Sequence, residues 1–242
     1  MGNEVEEAVI LAGGLGTRLR SAVPDLPKPL APVRGRPFLD YLLDYLAAQG
    51  IRRAILSVGY RREAIVERFG TSYGGLEIDY AVEEEPLGTG GGLRLGLERV
   101  RGPAAFALNG DTFLGLPYGQ LAAALDAAGG APFAVALRPV EDAERFGRVM
   151  VEDGRMSGFA AAGGAGPGLI NAGVYLLPRD LFDRHPVPAR FSFEKDFLEA
   201  RAAELRPATL VADGPFIDIG VPESFALAQE VLEDMVYGGR PR

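Results

Sequence analysis

Strand-like and helix-like segments alternate along this chain at the spacing of βαβ units, and that alternation narrows the choice of fold more than any other feature. The run Ala8–Ala12 reads as the first strand. Pro37 opens a helix whose apolar positions Phe38, Tyr41, Leu42, Tyr45 and Leu46 share one face, and Gly50 ends it. Strands follow at Ala54–Val58, Ile78–Val82 and Ala104–Leu108, with helices near Arg61–Phe69, Thr89–Val100 and Pro117–Ala128. Beyond these the pattern turns strand-rich, at Phe133–Leu137, Arg148–Val151, Leu169–Leu177, Thr209–Ala212 and Phe216–Gly220. Short helices near Pro178–Arg184 and Phe193–Glu204 interrupt it, Ala160–Gly168 reads as a loop, and a closing helix carries Phe225, Ala228, Leu232 and Met235. The expectation is an α/β fold: a mostly parallel mixed sheet with helices on both faces. With no repeat and no linker, residues 1–242 read as one domain in two halves, divided near residue 115.

In open α/β sheets, ligands sit beyond the carboxyl ends of the strands. The first strand ends on Gly13-Gly14-Leu15-Gly16-Thr17-Arg18-Leu19. Glycines there let the backbone approach a phosphate and turn its N–H groups toward it. A helix starting near Leu15 would add its positive end. Arg18 supplies one cation, and Lys28, clamped between Pro27 and Pro29, supplies a second. Lysine occurs only at positions 28 and 195, so a lysine held between prolines is pointed. No Gly-Lys-Ser/Thr follows, which excludes a Walker loop, and Leu19 stands where the dinucleotide fingerprint has its third glycine. A tight turn without ligand would explain the glycines alone; it leaves Arg18 and Lys28 unexplained.

Two acids complete the pattern. Asp111 closes Asn109-Gly110-Asp111 at the end of the fourth strand, and Asp218 sits inside Phe216-Ile217-Asp218-Ile219-Gly220. An Asx turn would account for the first and a helix cap for the second. If the two strand ends converge, the pair suits Mg²⁺, which is held by one or two carboxylates together with substrate phosphates.

GGLGTRL followed by PKP resembles the N-terminal signature of the sugar nucleotidyltransferases. LRSAVPDLPKPLAPV, GRPFLDYLLDYL, ILSVGY, EEPLGTGG, GLINAGVYLL, FSFEKDFL and FIDIGVPE are most similar to its D-glycero-α-D-manno-heptose 1-phosphate guanylyltransferase branch. The resemblance implies a Rossmann-like fold of the nucleotide-diphospho-sugar transferase type, with GTP and a sugar 1-phosphate as substrates and Mg²⁺ as cofactor. Nucleotide contacts would come from Leu11, Ala12, Gly13, Gly14, Gly16, Thr17, Asn109 and Gly110. Arg18 and Lys28 would neutralise the α-phosphate during attack, and Asp111 and Asp218 would hold the metal. Glu83, Pro86, Gly88 and Thr89 fall in the loop that meets the base. A carboxylate at Glu83 accepts hydrogen bonds from N1–H and the 2-amino group of guanine, whereas uracil and thymine present carbonyls that it repels. An acidic helix start would explain Glu84 and Glu85 as well.

On the sugar side the resemblance assigns Gly147, Asn171, Glu194 and Lys195, for which a strand bulge and a turn are the plainer readings of the first two. The chain departs from the pattern after Phe159. Ala160-Ala161-Ala162 stands where the family carries a Glu-Lys pair that grips the sugar phosphate. Either Arg145, Arg148 or Lys195 supplies that charge, or the acceptor binds more weakly. With so little sequence after the closing helix, the β-helical acyltransferase domain of some relatives is not expected here. A mannose-1-phosphate guanylyltransferase, another sugar-1-phosphate uridylyl- or thymidylyltransferase, and a catalytically silent sugar-nucleotide sensor or partner subunit are the alternatives.

Composition narrows the rest. The formal net charge of −8 gives no global field for a nucleic-acid backbone. The absence of cysteine excludes thiolate chemistry, and one histidine, His185, excludes multi-histidine metal sites. No apolar run nears the roughly 20 residues of a membrane span, and the acidic start is not a secretion signal. Glu6 breaks a myristoylation motif. The cytoplasm is the expected compartment, and a homodimer stays open.

Overall fold

The computed structural model describes residues 5–14, 19, 26–144, 147–160 and 166–238. Gly16, Thr17, Arg18 and Arg145 from the sequence expectations lie outside the described residues. The strands are β1 (Glu7–Leu11), β2 (Pro32–Val33), β3 (Arg36–Pro37), β4 (Arg53–Val58), β5 (Ser72–Tyr73), β6 (Leu76–Val82) and β7 (Ala104–Asn109). They continue as β8 (Thr112–Leu114), β9 (Ala134–Val140), β10 (Val149–Glu152), β11 (Arg155–Phe159), β12 (Gly168–Pro178), β13 (Ala208–Val211) and β14 (Phe216–Asp218). The helices are α1 (Phe38–Ala48), α2 (Arg62–Phe69), α3 (Gly88–Glu98), α4 (Tyr118–Ala128), α5 (Leu181–Arg184), α6 (Ala200–Leu205) and α7 (Pro222–Tyr237). A 3-10 turn spans Lys28–Leu30, and a π-helical segment spans Phe193–Glu199.

Ten strands form one sheet in the order β10-β11-β13-β9-β12-β7-β1-β4-β6-β5. β1 lies near its middle, parallel to both β4 and β7, and β4 is parallel to β6. These are the strands separated by crossover helices, as parallel pairing requires. In the second half, β12 runs antiparallel to β7 and β9, and β10 and β11 pair antiparallel, while β13 is parallel to β9. Parallel pairing therefore dominates the first half, whereas the strand-rich second half is mainly antiparallel, with β13–β9 the exception among its described pairings.

Alternation along β1 shows why both faces need cover. Ala8 and Ile10 join a core with Phe38, Leu42, Ile65, Leu121 and Leu232 from α1, α2, α4 and α7. Val9 points the other way, into a core with Leu93, Leu97, Phe182, Phe197 and Ala202 from α3, α5, the π-helical segment and α6. Each buried leucine or phenylalanine contributes about 2 kcal/mol, so this two-sided burial holds the strand ends in a common rim.

Some elements differ from expectation. Pro178 belongs to β12 rather than to a helix, because main-chain pairing with Ala104 extends the strand to it. The expected helix Phe193–Glu204 splits into the π-helical segment and α6. The short β8 goes beyond the sequence reading. It pairs with β14, with Asp218 opposite Thr112. At the other end of the sheet from the glycine loops, buried Arg53 binds Glu7 at 2.6 Å, Glu77 at 3.2 Å, and Asp79. Among the described residues no helix is long and apolar enough to cross a membrane.

Candidate active site

The carboxyl ends of β7, β1, β4 and β6 open side by side onto one cleft of about 910 Å³. Gly110 N–H bonds to the Leu11 carbonyl at 3.0 Å, Ala12 N–H to Ser57 at 2.8 Å, and Glu83 N–H to Val58 at 2.8 Å. These bonds carry the sheet pairing one step past the strands and so align four loops. Gly13 sits where a Cβ would come within 3.0 Å of the Gly59 nitrogen and 2.9 Å of Glu83 Oε1. Only glycine lets the β1 and β4 loops touch there.

Lys28 stands on the 3-10 turn, with Pro27 extended before it and Pro29 and Leu30 buried after it. Its side chain is only 10% exposed, and its ammonium makes an ion pair with Asp111 just after β7. The β8–β14 ribbon then brings the second acid to the same place. Ile219 N–H donates to the Asp111 carbonyl at 2.9 Å, and Gly220 N–H donates to Asp218 Oδ1 at 2.6 Å. Thus the β14 end carrying Asp218, 190 residues from Lys28, lies beside Asp111; Gly220, which holds the Asp218 carboxylate, lines the cleft with Lys28 and Asp111, while Asp218 itself stands just behind that lining. Among the described residues no group of three or more His, Cys, Asp or Glu side chains could hold a metal, so an ion here would rest on these two carboxylates and on bound substrate.

At the far end of the cleft, Glu83 Oε2 accepts the Leu87 N–H at 3.0 Å and Oε1 accepts the Ser57 hydroxyl at 3.2 Å. Glu83 therefore shapes the loop after β6 from within. Each carboxylate oxygen has a second lone pair, so acceptor capacity remains toward the cleft. The loop is fastened on its outer side by Phe191, whose N–H bonds to the Leu87 carbonyl and whose carbonyl accepts Gly90 N–H, each at 3.0 Å. Gly88 has φ +76°, and a Cβ on it would lie 2.5 Å from the Phe191 carbonyl oxygen.

The sugar-side expectations divide. The Thr89 hydroxyl donates to Glu194 Oε2 at 2.6 Å and accepts Phe193 N–H at 2.9 Å, which joins the start of α3 to the π-helical segment. Glu194 lines the cleft. Asn171 donates to the Tyr175 hydroxyl at 2.7 Å and accepts Gly173 N–H at 3.1 Å, within a β12 bulge where Gly173 has φ +70°. Burial, then the nearby Glu194 charge, pushes the Tyr175 hydroxyl well above its ordinary pKa. Asn171 and Glu194 therefore converge on Tyr175. Lys195 is exposed, and Gly147 N–H bonds to the Ala143 carbonyl at 3.0 Å; of the four sugar-side residues only Glu194 lines the cleft, and Asn171, Lys195 and Gly147 do not.

Of the nucleotide expectations, Leu11, Gly13, Gly14, Glu83, Pro86, Gly88, Thr89, Asn109 and Gly110 all border the cleft with Lys28 and Asp111. Ala12 is buried behind it. Missing from the sequence expectations is the segment after β4: Gly59, Tyr60, Arg61, Arg62 and Glu63 form a wall of the cleft. Arg61 has φ +54° and stacks on Tyr60 at 5.4 Å, and Arg62 bonds across to Glu84 at 3.1 Å. The strand-end rule would have found this wall had it been applied to β4 as well as to β1.

Residues 7–235 match the family model described as nucleotidyl transferase. The chain belongs to the nucleotidyl transferase family. Within this family it is 39% identical over 230 residues, 95% of this chain and 100% of the relative, to the D-glycero-alpha-D-manno-heptose 1-phosphate guanylyltransferase of Aneurinibacillus thermoaerophilus. To the protein of the same name from Campylobacter jejuni it is 40% identical over 220 residues, covering 90% and 96% of the two chains. Among solved structures, HddC from Yersinia pseudotuberculosis superposes with a TM-score of 0.81 at 34% identity, over 93% of this chain and 99% of HddC. The HddC complex with GMP-PN superposes with a TM-score of 0.79.

Proposed function

We propose that this nucleotidyl transferase moves GMP from GTP to D-glycero-α-D-manno-heptose 1-phosphate, producing GDP-heptose and pyrophosphate. The observation that carries the reading is the Lys28–Asp111 ion pair beside the glycine end of β1, with the β14 end that carries Asp218 next to it. The near full-length likeness to two guanylyltransferases supports the choice of base and sugar.

In the proposed reaction an ionised phosphate oxygen of the sugar attacks the α-phosphorus. A new P–O bond forms, the bond from that phosphorus to the bridging α–β oxygen breaks, and pyrophosphate leaves with the electron pair. The nucleophile is already deprotonated at neutral pH, so no general base is required. Lys28, held by its two prolines, places a fixed cation at the transferring group, and Arg18 is assigned the same task. Preset charge of this kind is the main source of acceleration in phosphoryl transfer.

The donor set at Asp111 and Asp218 fits a hard divalent ion, and Mg²⁺ is the cofactor proposed. When bound it would neutralise charge on the phosphate oxygens. Gly13, Gly14, Gly16 and Thr17 take the triphosphate, with Leu11, Ala12, Asn109 and Gly110 behind. Glu83, Pro86, Gly88 and Thr89 take guanine. Gly147, Asn171, Glu194 and Lys195 are assigned to the sugar phosphate, with Arg148 a further source of charge. The organisation proposed is one domain, nucleotide-binding to about residue 115 and sugar-binding beyond, in the cytoplasm, with a homodimer to be tested by sedimentation.

The test is pyrophosphate release across a matrix of triphosphates and sugar phosphates, before and after chelation of divalent metal. GTP with heptose 1-phosphate should give the highest kcat/KM, and chelation should stop turnover until Mg²⁺ is restored. Turnover with UTP or dTTP but not GTP overturns the base assignment. Nucleotide binding with no pyrophosphate from any sugar phosphate favours a silent sensor instead.

A further inference from the structure

α7 touches both halves of the charged rim. Its first residue, Pro222, stands two residues after Gly220, whose N–H holds Asp218. Two turns along, Gln229 reaches the hairpin that follows Lys28. Its Nε2 donates to the Pro32 carbonyl at 2.9 Å, and its Oε1 accepts the Arg34 N–H at 2.9 Å. Its own main-chain carbonyl accepts Arg34 Nε–H at 2.8 Å, and Glu233, one turn further, binds Arg34 Nη1 at 3.2 Å.

The hairpin is also held from α1 and through Arg36: buried Val33 accepts the Tyr41 hydroxyl at 3.1 Å, and Arg36 binds Asp44 at 2.9 Å and the Tyr237 hydroxyl of α7 at 2.6 Å, to which Gln229 adds a hold at the turn itself. β2 and β3 are two residues each, and a two-stranded ribbon is marginal alone. Arg34 (φ +48°) and Gly35 (φ +78°) make its two-residue turn, and Arg34 is the non-glycine residue that the turn holds at positive φ. The Lys28 turn is joined directly to this ribbon, through Ala31 N–H to the Lys28 carbonyl at 3.0 Å and Phe38 N–H to the Ala31 carbonyl at 3.0 Å. A side-chain amide is the group that offers a donor and an acceptor together, and both are used here on main chain two residues apart.

We infer that α7 is a strut that sets the spacing between Lys28 and Asp218, and that Gln229 is the positioning residue through which it acts on Lys28. The inference rests on the proposed role of Lys28 in transfer. Gln229 touches no substrate; its effect is on where the ammonium stands relative to the two carboxylates.

The experiment is a double-mutant cycle read by steady-state kinetics with GTP, heptose 1-phosphate and Mg²⁺, with a thermal melt of each variant. Gln229→Ala should lower kcat by about 10-fold, since a displacement well under an ångström costs that much in a preset site. KM for GTP should move by less than about 2-fold, because the base and phosphate loops are untouched. Gln229→Glu, which keeps the size and the acceptor but loses the donor, should lower kcat in the same direction. In a Lys28→Ala background, Gln229→Ala should cost nothing further, as expected when one residue acts through the other. Wild-type kcat in both Gln229 variants overturns the inference. So does an equal loss in the Lys28→Ala background, which would show a general structural effect. Full turnover by Lys28→Ala alone sinks the role of Lys28 and this inference together, whereas loss there with none at Gln229 sinks only the latter.

Discussion

Replacing Glu83 by glutamine separates its two jobs. Inside the loop, one oxygen of the carboxylate accepts Leu87 N–H and the other accepts the Ser57 hydroxyl. A glutamine can keep the first bond with its carbonyl oxygen and satisfy the second by donating to the serine oxygen, which also accepts. The fold should therefore lose no more than about 1 kcal/mol, a shift of roughly 2–4 °C in Tm for a domain of this size. Toward the cleft the consequence is larger. Guanine offers two N–H donors, and an amide turns one acceptor into a donor facing a donor. A lost hydrogen bond to a charged group costs about 1.5–3 kcal/mol, equivalent to roughly 10- to 150-fold in kcat/KM for GTP. UTP, which presents a carbonyl beside its N–H, should gain relative to GTP. The assay is pyrophosphate release with each triphosphate at saturating sugar phosphate, beside a thermal melt. Unchanged preference for GTP in a normally folded Glu83→Gln protein would refute base reading by this carboxylate. A melt lowered by 10 °C or more, on the order of 3 kcal/mol, would show that the loop bonds were its main task.

Three further outcomes follow from the geometry. Gly88→Ala should cost about 2 kcal/mol and lower turnover with GTP, because its Cβ meets the Phe191 carbonyl at 2.5 Å and its φ is +76°; a melt and a GTP titration check it. Arg53→Met leaves buried Glu7 without its 2.6 Å partner at the opposite end of the sheet. It should cost about 3–5 kcal/mol in urea unfolding while leaving kcat of the folded enzyme unchanged. Finally, burial, then the charges of Asp40 and Asp44, pushes the Tyr73 hydroxyl from 10.0 up to about 12. A raised folded pKa means that its contribution is complete below pH 10 and is lost as pH climbs through about 12. Tm should fall across that window as tyrosinate absorbance from Tyr73 rises, and Tyr73→Phe should flatten that part of the fall and remove that part of the rise.

What the sequence determined by itself was local. The apolar run before Gly13, the proline clamp on Lys28, the amphipathic α1 and the acids at 111 and 218 are each set by a few adjacent residues, and periodicity or turn chemistry reveals them. The crossover helices between β1, β4 and β6 likewise imposed parallel pairing there. Tertiary structure decided what depended on partners far away in the chain. β8 is three residues long and forms only because β14 pairs with it, yet that pairing is what carries Asp218 to Asp111. The π-helical segment replaces an ordinary helix where Thr89 holds Phe193 and Glu194, a constraint from 104 and 105 residues away. The Arg61–Arg62 wall carries no apolar rhythm of its own, and only the neighbouring ends of β1 and β6 make it part of the cleft. Period and turn chemistry act over a few residues, whereas a site assembled from strand ends is a property of the order in which strands lie side by side.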